Sequence, residues 1–320
     1  MNDMNSKVLT RVIFGTIMIA VLAGLLYLDW RLDREYGRRQ GLLAELTVSS
    51  EGIHFLGGER LPHWLPKLPT CVVLAIVVVL GFLEFGKLAR SAGAKLLPVS
   101  GLLATVALAT MPYWGVHLDA RWPVGWTAGF HAKAVFLVLI ALAAAFLEQM
   151  FRRRTDGAIR SIAMTVLAAV YLGLCGAFIF RIRTLGVAHL VLFLAAVKCT
   201  DIGAYFTGTA VGRHKLIRWL SPGKSWEGLA GGLIAAAGVS MLVTWLMDIR
   251  GLAVWEAAIF GVVVGAAGQF GDLCESLLKR SVEMKDSGAV VPEFGGVLDI
   301  IDSPLIAAPV ALVLLTTMTG

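Results

Sequence analysis

Apolar runs of about 20 residues, each long enough to cross roughly 30 Å of hydrocarbon, recur along the whole of this chain. About nine are legible, near residues 8–28, 70–90, 96–116, 132–150, 160–180, 186–207, 227–247, 254–276 and 301–319. Composition agrees: 58% of the residues are hydrophobic and 16% charged, with a mean hydropathy of +0.78, whereas soluble domains carry about a quarter charged residues. The expected fold is therefore all-α, a polytopic integral membrane protein with about nine transmembrane helices. Residues 1–70 read as an N-terminal transmembrane helix with an interfacial loop, and residues 71–320 as a polytopic catalytic membrane domain.

The first run continues into YLDWRLDREYGRRQ without a small-residue cleavage site, so it is expected to stay as a spanning helix. Residues 29–68 mix charges with Trp30, Tyr36, Phe55 and Trp64, the pattern of a helical extension followed by an interfacial segment. Cys71, Cys175, Cys199 and Cys274 lie far apart, with no CxxC spacing for zinc or a redox dithiol, and read as small packing residues.

The net charge of +6 is distributed over short loops rather than gathered on a basic domain, which argues against a nucleic-acid partner. It speaks to orientation instead. The larger share of the 28 Lys and Arg falls on one side of the nine-span scheme, the side of loops 208–226 and 277–300. The positive-inside bias then places those loops in the cytoplasm. A multi-pass protein of the cell inner (cytoplasmic) membrane, with its chemistry facing the cytoplasm, is expected.

Four stretches put ionisable groups at or within membrane depth, where a central charge costs about 2.5–3.5 kcal/mol on insertion scales. In FLEFGKLAR, Glu84 sits among apolar residues, with Lys87 and Arg90 at helical spacing as partners, or else faces a site. In KCTDIGAYFTG, Lys198 and Asp201 are three apart and share a helical face. SPGKSWEG, residues 221–228, combines a Pro222–Gly223 turn and Lys224 with Ser225 and Glu227 at a helix start. Exposed N–H groups beside a lysine suit a phosphate, and the same residues also suit simple helix capping. A Walker loop is excluded, because Arg218 stands where its first glycine would be.

The fourth stretch runs from GQFGDLCES into KRSVEMKDSGAVVPEFGGVLDIID. Asp272, Glu275, Lys279, Arg280 and Lys285 close one apolar run; Asp286, Gly295 and Gly296 come next, and Asp299 and Asp302 open the following run. Carboxylates converging near bases are what a divalent metal and a polyphosphate require.

The spacing of Ser276, Lys279, Arg280, Lys285, Asp286, Gly288, Pro292, Gly295, Gly296, Asp299 and Asp302 resembles the C-terminal signature of the CDP-diacylglycerol synthase (phosphatidate cytidylyltransferase) family. TDIGAYFTG, SPGKSWEG and Glu84 look like further segments of that family, so the resemblance covers roughly residues 75–305. Three positions depart: Phe294 replaces a histidine, Ile300 an arginine, and Val291 a larger apolar residue.

The resemblance implies a transferase of phospholipid biosynthesis that converts CTP and phosphatidate into CDP-diacylglycerol and pyrophosphate with Mg²⁺, a monovalent cation being left open. It points to Asp272, Lys279, Arg280, Lys285 and Asp286 as catalytic residues, and to Asp272, Asp286, Asp299 and Asp302 as metal ligands. Lys224, Ser225, Glu227, Asp201, Gly295 and Gly296 are the expected substrate-binding residues. Partners are then CTP, phosphatidate and membrane lipids, with a homodimer left open. The competing readings are another membrane lipid enzyme, CDP-archaeol synthase-like or polyprenol kinase-like, a secondary transporter using Lys198, Asp201 and Glu84, and a silent relative.

Overall fold

Apolar segments that meet no water must satisfy their peptide groups internally, and in this chain they do so as helices. The computed structural model describes residues 23–35, 67–119, 129–284 and 296–319. In chain order the helices are α1 (residues 23–35), α2 (Leu68–Ser91), α3 (Pro98–Asp119), α4 (Phe130–Phe151), α5 (Ala158–Ala168), a π-helical segment (Ala169–Leu174), α6 (Cys175–Leu185) and α7 (Val187–Val211). A hairpin of β1 (Lys215–Ile217) and β2 (Ser221–Ser225) comes next, then α8 (Trp226–Met247), α9 (Val254–Arg280) and α10 (Val297–Met318).

Among the described residues, seven spans are long and apolar enough to cross a membrane: α2, α4, the continuous α5–π–α6 rod, α7, α8, α9 and α10. Each matches one of the nine expected runs. The run near 96–116 is a helix of 22 residues, α3, and is not among the seven spans found within the described residues. The first run is helical from residue 23, and the helical extension holds to residue 35; the rest of both lies outside the described residues. Among the described residues the count of nine is not reached.

The chain divides into two compact units, Met1–Val73 and Leu74–Gly320. In the first, Asp29 is wholly buried and accepts a hydrogen bond of 2.5 Å from Thr70 Oγ1.

In the second unit α7 packs most intimately on α8, and α9 lies against both α8 and α10. Small residues allow this closeness. A Cβ on Gly232 would come 2.6 Å from the Thr200 carbonyl oxygen, and one on Gly261 2.5 Å from that of Ala236. The four-residue spacings Gly228/Gly232 and Gly261/Gly265 expected to mark helix contacts do lie on them.

The hairpin was not expected. Its strands are short, three and five residues, and SPG reads as a turn rather than as part of a strand. Backbone pairing sets it: Lys215 lies opposite Ser225 and Ile217 opposite Ser221, and Trp226 N–H donates to the His214 carbonyl at 2.9 Å.

Gly232→Leu is expected to separate α7 from α8 and lower the melting temperature in detergent by several degrees. Gly238→Ala, where a Cβ meets nothing within 4 Å, should leave it unchanged or raise it slightly, since alanine is the better helix former by up to about 1 kcal/mol.

Candidate active site

The polar residues of the second unit converge where α7, α8, α9, α10 and the hairpin meet. On α9 the spacing of Gln269, Asp272, Glu275, Ser276 and Lys279 places them on one helical face. The hairpin delivers Lys224 to this face: its Nζ lies 2.6 Å from Asp272 Oδ2 and 3.4 Å from the Gln269 carbonyl oxygen. Gln269 Nε2 donates to Asp201 Oδ1 on α7 at 2.8 Å, and Ser276 Oγ to Asp272 Oδ1 at 3.3 Å.

Lys198 does not simply pair with Asp201, from which it is 3.8 Å away. Its closer bond, 2.8 Å, is to the Ile300 carbonyl oxygen. Pro304, inside α10, has no N–H to offer the carbonyl four residues before it, so the lysine occupies an acceptor that the helix leaves open. Ile300, where the resemblance expects arginine, thus acts here through its main chain.

A second group lies deeper. Lys279 Nζ is 2.5 Å from Glu275 Oε2 and 2.9 Å from Asp299 Oδ1. Asp299 Oδ2 also accepts the Gly296 N–H at 2.7 Å, closing the first turn of α10. Glu84, 1% exposed, accepts the Leu298 N–H at 2.8 Å and so anchors the same turn from α2. Its ion-pairing alternative with Lys87 or Arg90 is not what the structure shows for this oxygen.

One carboxylate oxygen from each of Asp272, Glu275 and Asp302 comes together within 4.8 Å. Glu275 and Asp302 are buried, and Glu275 Oε1 has no hydrogen-bond partner among the described residues. Asp201, Asp272, Glu275, Asp299 and Asp302 face only Lys198, Lys224 and Lys279 among the described residues, so the ionised site carries more negative than positive charge. An all-oxygen donor set with an unmatched inner oxygen fits a hard divalent cation. Asp272, Glu275 and Asp302 are the residues able to hold one.

A cavity of about 570 Å³ opens beside this group, within the range of about 300–1,000 Å³ usual for small-molecule sites. Asp201, Lys224, Gln269 and Asp272 form its polar wall, with Tyr205 and Leu229 on the apolar side. Asp272 belongs both to this wall and to the carboxylate group.

Of the expected site residues, Asp201, Lys224, Ser225 and Asp272 line the cavity. Ser225 is also the N-cap of α8, its Oγ accepting the Gly228 N–H at 3.1 Å. Glu227 is turned to the hairpin, 2.5 Å from His214 Nδ1, and accepts the N–H groups of Arg213 and His214. Asp302 lies with Asp272 and Glu275, Lys279 pairs with Asp299, and Arg280 is exposed at the end of α9. Gly296 is the N-cap of α10. Lys285, Asp286, Gly295 and Phe294 lie outside the described residues. Glu275 and Gln269 were not assigned a role from sequence. Their three-residue spacings from Asp272 were the available signal.

The model of the cytidylyltransferase family matches residues 61–318. The chain belongs to the cytidylyltransferase family. It is a membrane nucleotidyltransferase, which sets it apart from the transporters that its intramembrane charges alone left open. The phosphatidate cytidylyltransferase of Staphylococcus saprophyticus is 28% identical over 244 residues, 76% of this chain and 90% of that protein. The enzyme of the same name from Bacillus subtilis is 29% identical over 248 residues, 76% of this chain and 87% of its own length. A third relative, the uncharacterized protein YnbB of Escherichia coli, is 33% identical over 212 residues, covering 62% and 67%.

Lys198→Met should leave the Ile300 carbonyl unpaired and destabilise the protein by about 1 kcal/mol, the net worth of such a bond at a half-exposed lysine. Adding Pro304→Ala returns an N–H to that carbonyl and is expected to restore part of the loss, read as melting temperature in detergent.

Proposed function

We propose that this membrane enzyme transfers the cytidylyl group of CTP to phosphatidate, releasing pyrophosphate and forming CDP-diacylglycerol for phospholipid synthesis. The observation that carries the reading is the double membership of Asp272: the cavity that can take a nucleotide and the carboxylates that can hold a cation share one residue. The names of the staphylococcal and bacillar relatives support the lipid acceptor.

In this reading a phosphate oxygen of phosphatidate attacks the α-phosphorus of CTP. A P–O bond forms there as the bond to the bridging oxygen of the β-phosphate breaks, and pyrophosphate departs with that electron pair. A phosphate nucleophile is already largely ionised near neutral pH, so no general base is required, and the protein contributes position and charge. Lys224, which lines the cavity and pairs with Asp272, would hold CTP phosphates. Lys279, between Glu275 and Asp299, would supply positive potential behind the carboxylates. Asp201 and Gln269 orient one another and, through the α9 face, Asp272.

Mg²⁺ is the expected ion at Asp272, Glu275 and Asp302; when bound, it would neutralise phosphate charge and fix the triphosphate. Asp286 and Asp299 remain candidate ligands from the resemblance, Asp299 in competition with its bonds to Lys279 and Gly296. Lys285, Arg280 and the Gly295–Gly296 turn would close the phosphate side, and Ser225 would reach it from the helix start. A monovalent cation beside Mg²⁺ and a homodimeric assembly are compatible with this reading. The location implied is the cytoplasmic membrane of a bacterium, with the site on the cytoplasmic side where CTP is available and the acyl chains left in the bilayer.

Purified protein with phosphatidate in mixed micelles should move label from CTP into chloroform-soluble lipid only when Mg²⁺ is present. Absence of product from folded protein, with or without the metal, would sink the assignment. Asp272→Asn is expected to lower kcat by about 100-fold or more, the scale of losing one preorganised electrostatic group. Lys224→Ala should raise KM for CTP about tenfold, as expected for a lost charged hydrogen bond, and an unchanged KM would reduce Lys224 to a partner of Asp272.

A further inference from the structure

The rod from Ala158 to Leu185 is α-helical except for Ala169–Leu174, which is a π-helix. A π segment carries an extra residue in its turn and rotates the downstream residues by about 100° relative to an unbroken α-helix, and such segments gather at functional sites. Here the segment is pinned from two sides. A Cβ on Gly173 would lie 2.7 Å from the Thr105 carbonyl oxygen of α3, and one on Gly81 of α2 would touch both Leu172 and Ile301 of α10 at 3.4 and 3.5 Å.

The residue this arrangement turns inward is Tyr171. It is 7% exposed, and its hydroxyl has no hydrogen-bond partner among the described residues. The ionisable groups that act on it electrostatically are Asp302 and Glu275, then Cys175 and Cys274. Asp302 and Glu275 come from α10 and α9 and are two of the three carboxylates of the cation cluster. Glu275 contributes its own buried, unpartnered oxygen, Oε1. The two groups do not hydrogen-bond each other in this structure; a hydroxyl buried in a membrane span, where no solvent can satisfy it, and a buried acceptor with the same deficit whose charge acts on it are groups that one water or a small shift would join.

We propose that Tyr171 is a positioning residue of this centre, its hydroxyl donating to the buried Oε1 of Glu275, directly or through one water, when the cluster holds a divalent cation. The π turn is then the device that brings a phenol to the back of the carboxylates, and the phenol fixes the direction in which they present their front oxygens. The inference rests on the cation reading of this cluster and extends it to a residue outside the signature segments.

The test uses Mn²⁺ as the probe and its binding to full-length protein in detergent, monitored by the loss of the free-ion EPR signal, so that no activity is needed. Wild-type protein should bind, and Asp302→Asn should not. Tyr171→Phe should bind about 10- to 100-fold more weakly, the usual consequence of removing a group that orients a ligand, while its melting temperature stays near that of the wild type. Wild-type affinity in a folded Tyr171→Phe protein overturns the proposal and leaves the cation reading standing. Failure of the wild type to bind overturns both.

Should Tyr171→Phe not fold, Tyr171→Leu serves as the second hydroxyl-free variant. The Glu275→Gln background supplies a further arm. There, removal of the hydroxyl should weaken binding no further, because the two groups act as one, and an additive loss would show that Tyr171 works independently of the cluster.

Discussion

Negative charge gathered away from water is the constraint on which the rest of the second unit depends. Asp272, Glu275, Asp299 and Asp302 stand on two adjacent helices that are otherwise apolar, and two of them are almost fully buried. Carboxylates in such a setting persist only with counter-charge and hydrogen bonds supplied at close range. The protein supplies both from separate elements: Lys279 from the same helix, Lys224 from the hairpin, and the Gly296 and Ser303 N–H groups from the first turns of α10. The charge these leave unbalanced is the charge that a metal ion and its bound phosphates would meet.

This arrangement demands that backbones approach closely, and the glycines supply that approach. Gly228 and Gly232 let α8 lie against α7, and Gly261 and Gly265 let α9 lie against α8. Gly271 brings α9 onto α10, where a Cβ would sit 2.8 Å from the Asp302 carbonyl oxygen. Lipid offers little hydrophobic drive for helices to associate, so shape and interhelical hydrogen bonds hold the bundle. Small residues beside charged ones are therefore one design: the first permits the distance and the second makes use of it. Glu84 shows the same principle, since a carboxylate on α2 caps α10 across 214 residues of sequence.

Most of the architecture was legible because hydropathy over 20 residues is a strong signal. The runs at 70–90, 132–150, 160–180, 186–207, 227–247, 254–276 and 301–319 all became spans. The run at 96–116 became a helix whose polar residues fold back on its own carbonyls, as Thr105 does on Gly101 and Thr110 on Val106. The hairpin escaped notice because strands of three and five residues are too short to show a periodicity. At the site, Asp272 and Lys224 stood out as charges beside glycines, whereas Gln269 and Glu275 needed the α9 face to be seen with its partners.

The sequence by itself determined a helical membrane protein and the gathering of charge around Lys224 and between Asp272 and Asp302, because both arise from residue type and local spacing. Only the tertiary structure decided that Lys224 meets Asp272, that Lys198 answers the carbonyl freed by Pro304, and that Glu275 rather than Asp299 completes the carboxylate triad. The reason is physical. Hydropathy and helical period act along the chain, whereas the pairing of a buried charge depends on which helix lies across from it.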